Sequence, residues 1–181
     1  MTPDDDELKT LLSRMAGGDR AAFTRLYDVM ASRLYGLSVS LLGRTDLAEE
    51  ALQEAFIQIW HNAGEYHQER GSPRAWMAAI TRYRSLSLIR QQRELQGEDA
   101  WFEGVADERP GPQGLVCQQS EDAQLQGCME QLALPQQETL RLAYYQGFSH
   151  DELAQRLETP LGTIKSWVRR GLLSLKRCME Q

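Results

Sequence analysis

Between Pro160 and Gly171 the chain reads PLGTIKSWVRRG, which gathers Lys165, Arg169 and Arg170 with the hydroxyls of Thr163 and Ser166. Long cations interleaved with short hydroxyl donors can hold phosphate oxygens and reach base edges. An arginine bonded twice to a guanine discriminates by about 1–3 kcal/mol per base pair. A second group of cations lies upstream: Arg70, Arg74, Arg82, Arg84, Arg90 and Arg93, with no acid among them. From Glu94 to Asp122 the sign reverses, and Glu94, Glu98, Asp99, Glu103, Asp107, Glu108, Glu121 and Asp122 stand against Arg109 alone. Two basic stretches divided by an acidic one, in a chain of net charge -6, suggest two contacts with a polyanion.

Other chemistries find less support. His61, His67 and His150 are scattered, without the spacing of metal ligands. The segment AGGDR is too short for a phosphate loop and lacks the Gly-Lys-Ser/Thr that would follow. No catalytic constellation is visible, so the expectation is a protein that is not an enzyme and uses no cofactor and no metal. Cys117, Cys128 and Cys178 are odd in number and form no C-x-x-C pair, so they are expected to be three reduced thiols. No apolar run approaches the roughly 18 residues that would span a bilayer. The acidic opening MTPDDDELKT is unlike a secretory leader. A cytoplasmic location without membrane insertion follows as an expectation.

The elements that must carry these groups read as helices throughout, with no strand pattern. Asp19 is a plausible N-cap for a helix whose apolar stripe is Phe23, Leu26, Tyr27, Met30, Leu34, Leu37 and Leu41. After GRTD, Thr45 or Asp46 can cap the next helix, with Ala48, Ala51, Leu52, Ala55, Ile59 and Trp60 on one face. Glu49, Glu50, Gln53 and Glu54 lie largely away from that face. EYHQERGSP reads as a loop. From Pro73 a further helix runs to about Arg93, with Trp76, Ala79, Ile80 and Tyr83 on the side taken as buried and Arg74, Ala78, Thr81, Arg82 and Ser85 opposite.

The segment GEDAWFEGVADERPGPQGL offers too few clustered apolar residues to offset the entropy of ordering it, and reads as a linker. Helices return from Gln119 to Ala133 and from Pro135 to Gly147. Ser149 then caps a short helix, with Glu152 completing a capping box. After the turn ETPLG comes the last helix, on which Ile164, Val168, Leu172 and Leu175 should face inward and Lys165, Ser166, Arg169 and Arg170 outward. Two short helices joined by a tight turn, the second one basic, form a helix-turn-helix. Trp167 falls at the margin of the face and is expected to pack beneath the arginines. The fold class expected is all-α, as two small helical domains joined by a flexible acidic linker, with boundaries at 1–93, 94–118 and 119–181.

At this point the residues resemble a family. GFSHDELAQRLETPLGTIKSWVRRGLLSLKR is similar to the promoter-reading helix-turn-helix of bacterial RNA polymerase sigma factors of the extracytoplasmic-function (ECF) type. DLAEEALQEAFIQIW resembles that family's polymerase-clamp-binding helix, and SPRAWMAAITRYRSLSLIR its minus-10-element helix. The resemblance implies a sigma factor that binds core RNA polymerase, through clamp coiled coil and flap, and directs initiation at promoter DNA under the control of an anti-sigma factor. It assigns Glu50, Gln53, Glu54 and Phe56 to polymerase binding. Tyr66, His67, Arg70, Arg74, Trp76, Arg82 and Arg90 fall to the minus-10 loop and helix, and Thr163, Lys165, Ser166, Arg169 and Arg170 to the minus-35 element. Acids such as Glu98, Asp99 and Glu103 would occupy the channel that later holds RNA.

The sequence departs from the family pattern in four places. Tyr83 stands where asparagine is frequent, Ser87 where aspartate is, Trp167 where arginine is, and Gly171 where alanine is. Tyr83 and Ser87 are both placed on or near the buried side. The alternative reading is a stand-alone helix-turn-helix repressor or activator, which would bind its operator without polymerase.

Overall fold

The computed structural model describes residues 4–97 and 119–180. The chain divides into two compact units, Met1–Gly114 and Leu115–Gln181. All regular structure among the described residues is helical. The acids Glu98, Asp99 and Glu103, and Cys117, lie outside the described residues.

The N-terminal unit holds α1 (Asp5–Ala16), α2 (Arg20–Leu42), α3 (Thr45–Asn62) and α4 (Pro73–Gln96). Two single 3-10 turns, Ala63–Glu65 and Gln68–Arg70, connect α3 to α4. Asp19 starts α2 as expected, its carboxylate accepting from the backbone N–H groups of Ala21 and Ala22 at 2.9 and 3.2 Å. The start of α3 differs from expectation. Its N-cap position is Arg44, which makes no side-chain cap, and Thr45 and Asp46 are already helical.

Helix α1 lies outside the helices expected from the sequence. Its Leu8, Leu11, Leu12 and Met15 recur at helical spacing and are buried against Leu26, Met30, Leu34, Ile59 and Met77. A neighbouring cluster of Leu42, Leu47, Ala48, Ala51, Leu86, Leu88 and Ile89 closes the other end.

The orientation of α4 corrects the expected face. Met77, Thr81, Ser85, Leu86, Leu88 and Ile89 are buried, while Ala79, Tyr83 and Ser87 are exposed. The cause is a seam of small hydroxyl side chains between α2 and α4. Thr81 Oγ1 donates to the Met77 carbonyl at 3.0 Å, and Ser85 Oγ donates to the Thr81 carbonyl at 3.0 Å and lies 3.3 Å from Ser38 Oγ. Hydroxyls that bond the preceding turn can be buried at little cost, and their size lets two helices approach closely. A hydropathy pattern scores them as polar and turns the helix the wrong way round.

The C-terminal unit holds α5 (Gln119–Glu130), α6 (Leu134–Tyr145), α7 (His150–Arg156) and α8 (Leu161–Met179). Met129, Leu132, Leu140 and Val168 form its core, with Leu125 and Leu175 packed against them. Cys128 and Cys178 form a disulfide, with Cα atoms 5.8 Å apart across a sequence separation of 50. The expectation of three reduced thiols is thereby corrected. Packing of α5 on α8 brings together two residues that spacing alone could not pair.

Candidate nucleic-acid interfaces

The helix-turn-helix is built as its sequence requires. Ser149 Oγ accepts from the Glu152 N–H at 3.3 Å, and Glu152 Oε2 accepts from the Ser149 N–H at 2.6 Å, which completes the capping box of α7. The turn passes through Glu158 at φ 47°, and α8 begins at Leu161 with the Thr163 N–H bonded to the Pro160 carbonyl. Ile164 and Val168 are buried, so Lys165, Arg169 and Arg170 stand exposed on the outer arc. Arg170 Nε donates to Ser166 Oγ at 3.0 Å, which lays that guanidinium along the helix surface. Thr163, Ser166 and Trp167 are half-buried.

One inward position differs from expectation. Leu172 is 38% exposed, and Gly171 is buried in its stead. A Cβ at Gly171 would sit 2.7 Å from Leu140 Cδ1. The glycine thus leaves room for Leu140 of α6 against α8, and an alanine there would require that side chain to shift.

The second cationic group begins in the loop before α4 and continues along that helix. Ser72 caps that helix, its Oγ accepting from the Ala75 N–H at 3.2 Å, and Pro73 opens it. Tyr66 closes the loop: its hydroxyl donates to the Gly71 carbonyl at 3.0 Å, and its ring lies 5.6 Å from that of Trp76. Gly71 has φ 144°, a conformation that favours glycine. Of the loop residues expected to touch DNA, His67 and Arg70 are exposed and Tyr66 is half-buried as the strut that shapes the loop. Arg74, in the first turn of α4, pairs with Asp5 of α1 at 3.0 Å. Arg82 is half-buried and Arg90 exposed.

On α3 the polar side is open. Glu50 and Gln53 are exposed and Glu54 is half-buried, 3.5 Å from Arg84 Nη1. Arg84 also donates from Nε to Gln58 Oε1 at 2.8 Å. Phe56 does not belong to this surface. It is 2% exposed and packs on Phe23 and Tyr27, at ring distances of 6.0 and 4.7 Å. Its expected role in touching polymerase is corrected to a core role: residue 56 falls on the α3 stripe that continues Leu52 and Ile59. The exposed apolar residue here is Ile57, at 59%, one turn from Gln53 and Glu54. Its position opposite the buried stripe was readable in the helical spacing but had no motif to mark it.

Among the described residues no cluster of three or more His, Cys, Asp or Glu side chains is placed to hold a metal ion. Among them, too, no helix is long and apolar enough to cross a membrane.

Known proteins share these features in the same order. Residues 26–94 match the family Sigma-70 region 2, and residues 122–175 match Sigma-70, region 4. Both are parts of one class of transcription initiation factor. The ECF RNA polymerase sigma factor SigK of Mycobacterium tuberculosis (strain ATCC 25618 / H37Rv) is 33% identical over 177 residues, which cover 96% of this chain and 94% of that protein. The SigK of Mycobacterium sp. (strain KMS) is 32% identical over 176 residues, with 96% and 91% covered. Among solved structures, the sigma factor RpoE in complex with the anti-sigma factor NepR from Bartonella quintana is 25% identical, covers 87% of this chain and 96% of its own, and has a TM-score of 0.38. The chain belongs to the ECF RNA polymerase sigma factors.

Proposed function

We propose that this sigma factor divides promoter reading between its two units. In the C-terminal unit, Thr163, Lys165, Ser166, Arg169 and Arg170 of α8 read the minus-35 duplex. Phosphate contacts by the cations supply affinity that falls with salt, and base-edge contacts supply sequence preference. In the N-terminal unit, His67 and Arg70 on the loop, with Arg74, Arg82 and Arg90 of α4, engage the minus-10 region and favour its opening. Tyr66 and Trp76 hold the loop that presents them. Glu50, Gln53 and Glu54, with the exposed Ile57, form the face that docks on the clamp coiled coil of core polymerase, and the flap is the second contact.

The single observation that carries this reading is a basic, exposed helical face on the capped helix-turn-helix of the C-terminal unit, matched in the N-terminal unit by a closed loop that exposes His67 and Arg70 ahead of α4 and its exposed Arg90. The family adds two expectations: an anti-sigma factor that covers the binding faces until a signal arrives, and a cytoplasmic site of action. The chain itself contributes recognition and no catalysis.

Run-off transcription with purified core polymerase on genomic fragments tests the proposal. Initiation from discrete start sites is expected only when the chain and core are both present. Tight operator binding by the chain alone, with no initiation when core is added, would instead favour a stand-alone repressor.

A further inference from the structure

Arg84 falls within the run of cations on α4, and its charge alone assigns it to the polyanion contact. The structure turns it elsewhere. Its Nε donates to Gln58 Oε1 at 2.8 Å, and its Nη1 lies 3.5 Å from Glu54 Oε2. Glu54 and Gln58 are four residues apart on α3, so one planar guanidinium on α4 spans two successive turns of the neighbouring helix. The Tyr83 ring flanks the same group, with its centroid 5.9 Å from the guanidinium carbon.

The two partners on α3 are held differently. Gln58 is half-buried and accepts a short hydrogen bond, which anchors the cation. Glu54 is approached at a distance longer than a good hydrogen bond, and its side chain stays 43% exposed. Glu54 is therefore steered without being sealed. The fixed positive charge limits where its carboxylate can lie, and the group remains open to a donor from outside. An exposed acid loses side-chain freedom when a partner binds it, and one that is already confined loses less.

We propose that Arg84 is a positioning residue for polymerase docking, acting through Glu54 by confining that carboxylate at the margin of the α3 face that meets the clamp coiled coil. This rests on the proposed docking face of Glu50, Gln53, Glu54 and Ile57. It withdraws Arg84 from the cations that engage DNA, and it gives the seam between α3 and α4 a part in core binding.

The test measures the affinity of the full chain for purified core polymerase, by competition against fluorescently labelled wild-type chain. Arg84→Ala should bind about fivefold more weakly and Glu54→Ala about tenfold, with the double variant no weaker than Glu54→Ala alone. Glu50 stands a further turn from the guanidinium along α3, so the loss from Glu50→Ala should multiply with that from Arg84→Ala. Gln58→Ala, which frees the anchored cation, should cost about threefold, and nothing more once residue 84 is alanine.

Losses from Arg84→Ala that multiply equally with Glu50→Ala and with Glu54→Ala would overturn the positioning role. A loosened fold, or a direct contact of Arg84 with core, would act in that way whichever acid is present. Unchanged affinity of Arg84→Ala for core, with shorter-lived promoter complexes, would also overturn it and return Arg84 to the DNA contacts. Wild-type affinity in both Glu50→Ala and Glu54→Ala would remove the docking face itself, and that result is seen with Arg84 intact.

Discussion

The two units reach stability by different means. The N-terminal unit buries side chains from four helices, with Leu8, Leu12, Leu26, Met30, Leu34, Ile59 and Met77 all essentially sealed from solvent. The C-terminal unit has a small core around Leu140, Leu153, Ile164 and Val168, and a covalent link from α5 to the end of α8. A short chain segment buries a smaller fraction of its surface, so a cross-link matters more there. The contrast teaches that the two surfaces proposed to face DNA rest on differently built supports. The loop and α4 rest on a packed bundle, whereas α8 rests on a short helical platform whose ends are tied.

The largest expected effect falls on that tie. Reduction of Cys128–Cys178, or Cys128→Ser, should destabilise the C-terminal unit by about 2–4 kcal/mol. Hydrogen exchange should quicken across α5 to α8 and stay unchanged in α1 to α4, and quickening in both units would break the comparison. Leu26→Ala is the counterpart in the other unit. It should cost about 3 kcal/mol in urea unfolding of the N-terminal unit and leave exchange in α8 unaltered.

A smaller effect is expected at the capping box. Ser149→Ala should cost the C-terminal unit about 1 kcal/mol by thermal unfolding, because the Glu152 N–H loses its acceptor. The smallest is a pH effect. The Arg14 side chain, followed by the Ala22 N–H, holds the Asp19 carboxyl below its ordinary value of 3.8. Its folded pKa is depressed, so its stabilisation is complete above the unfolded value and is lost as pH falls through the folded one. Faster exchange at the start of α2 should therefore appear only below pH about 4, and Asp19→Asn should abolish that pH dependence.

Much of the fold was legible because the signals were local. The Asp19 cap, the Ser149–Glu152 box and the Ile164–Val168 spacing each depend on residues within a turn of one another, and all appear in the structure. The stripe of Leu8, Leu11, Leu12 and Met15 is equally local, and it defines a helix outside the expected set. What could not be read depends on a second element. The inner face of α4 is decided by Ser38 of α2, Gly171 is explained only by Leu140 of α6, and Cys128 finds Cys178 only once α5 lies on α8. The interface residues divide in the same way. Lys165, Arg169 and Arg170 stand outward as spacing implied, while Phe56 is claimed by the core and Tyr66 by the loop it closes.

The division of labour between the units is tested most directly by two variants on two templates. Holoenzyme carrying Lys165→Ala with Arg169→Ala, and holoenzyme carrying His67→Ala with Arg70→Ala, are compared for initiation on a duplex promoter and on the same promoter pre-melted across the minus-10 region. Both variants should fail on the duplex. Pre-melting should restore the loop variant to near wild type and leave the α8 variant impaired about tenfold or more. Equal rescue of both, or of neither, would contradict the account.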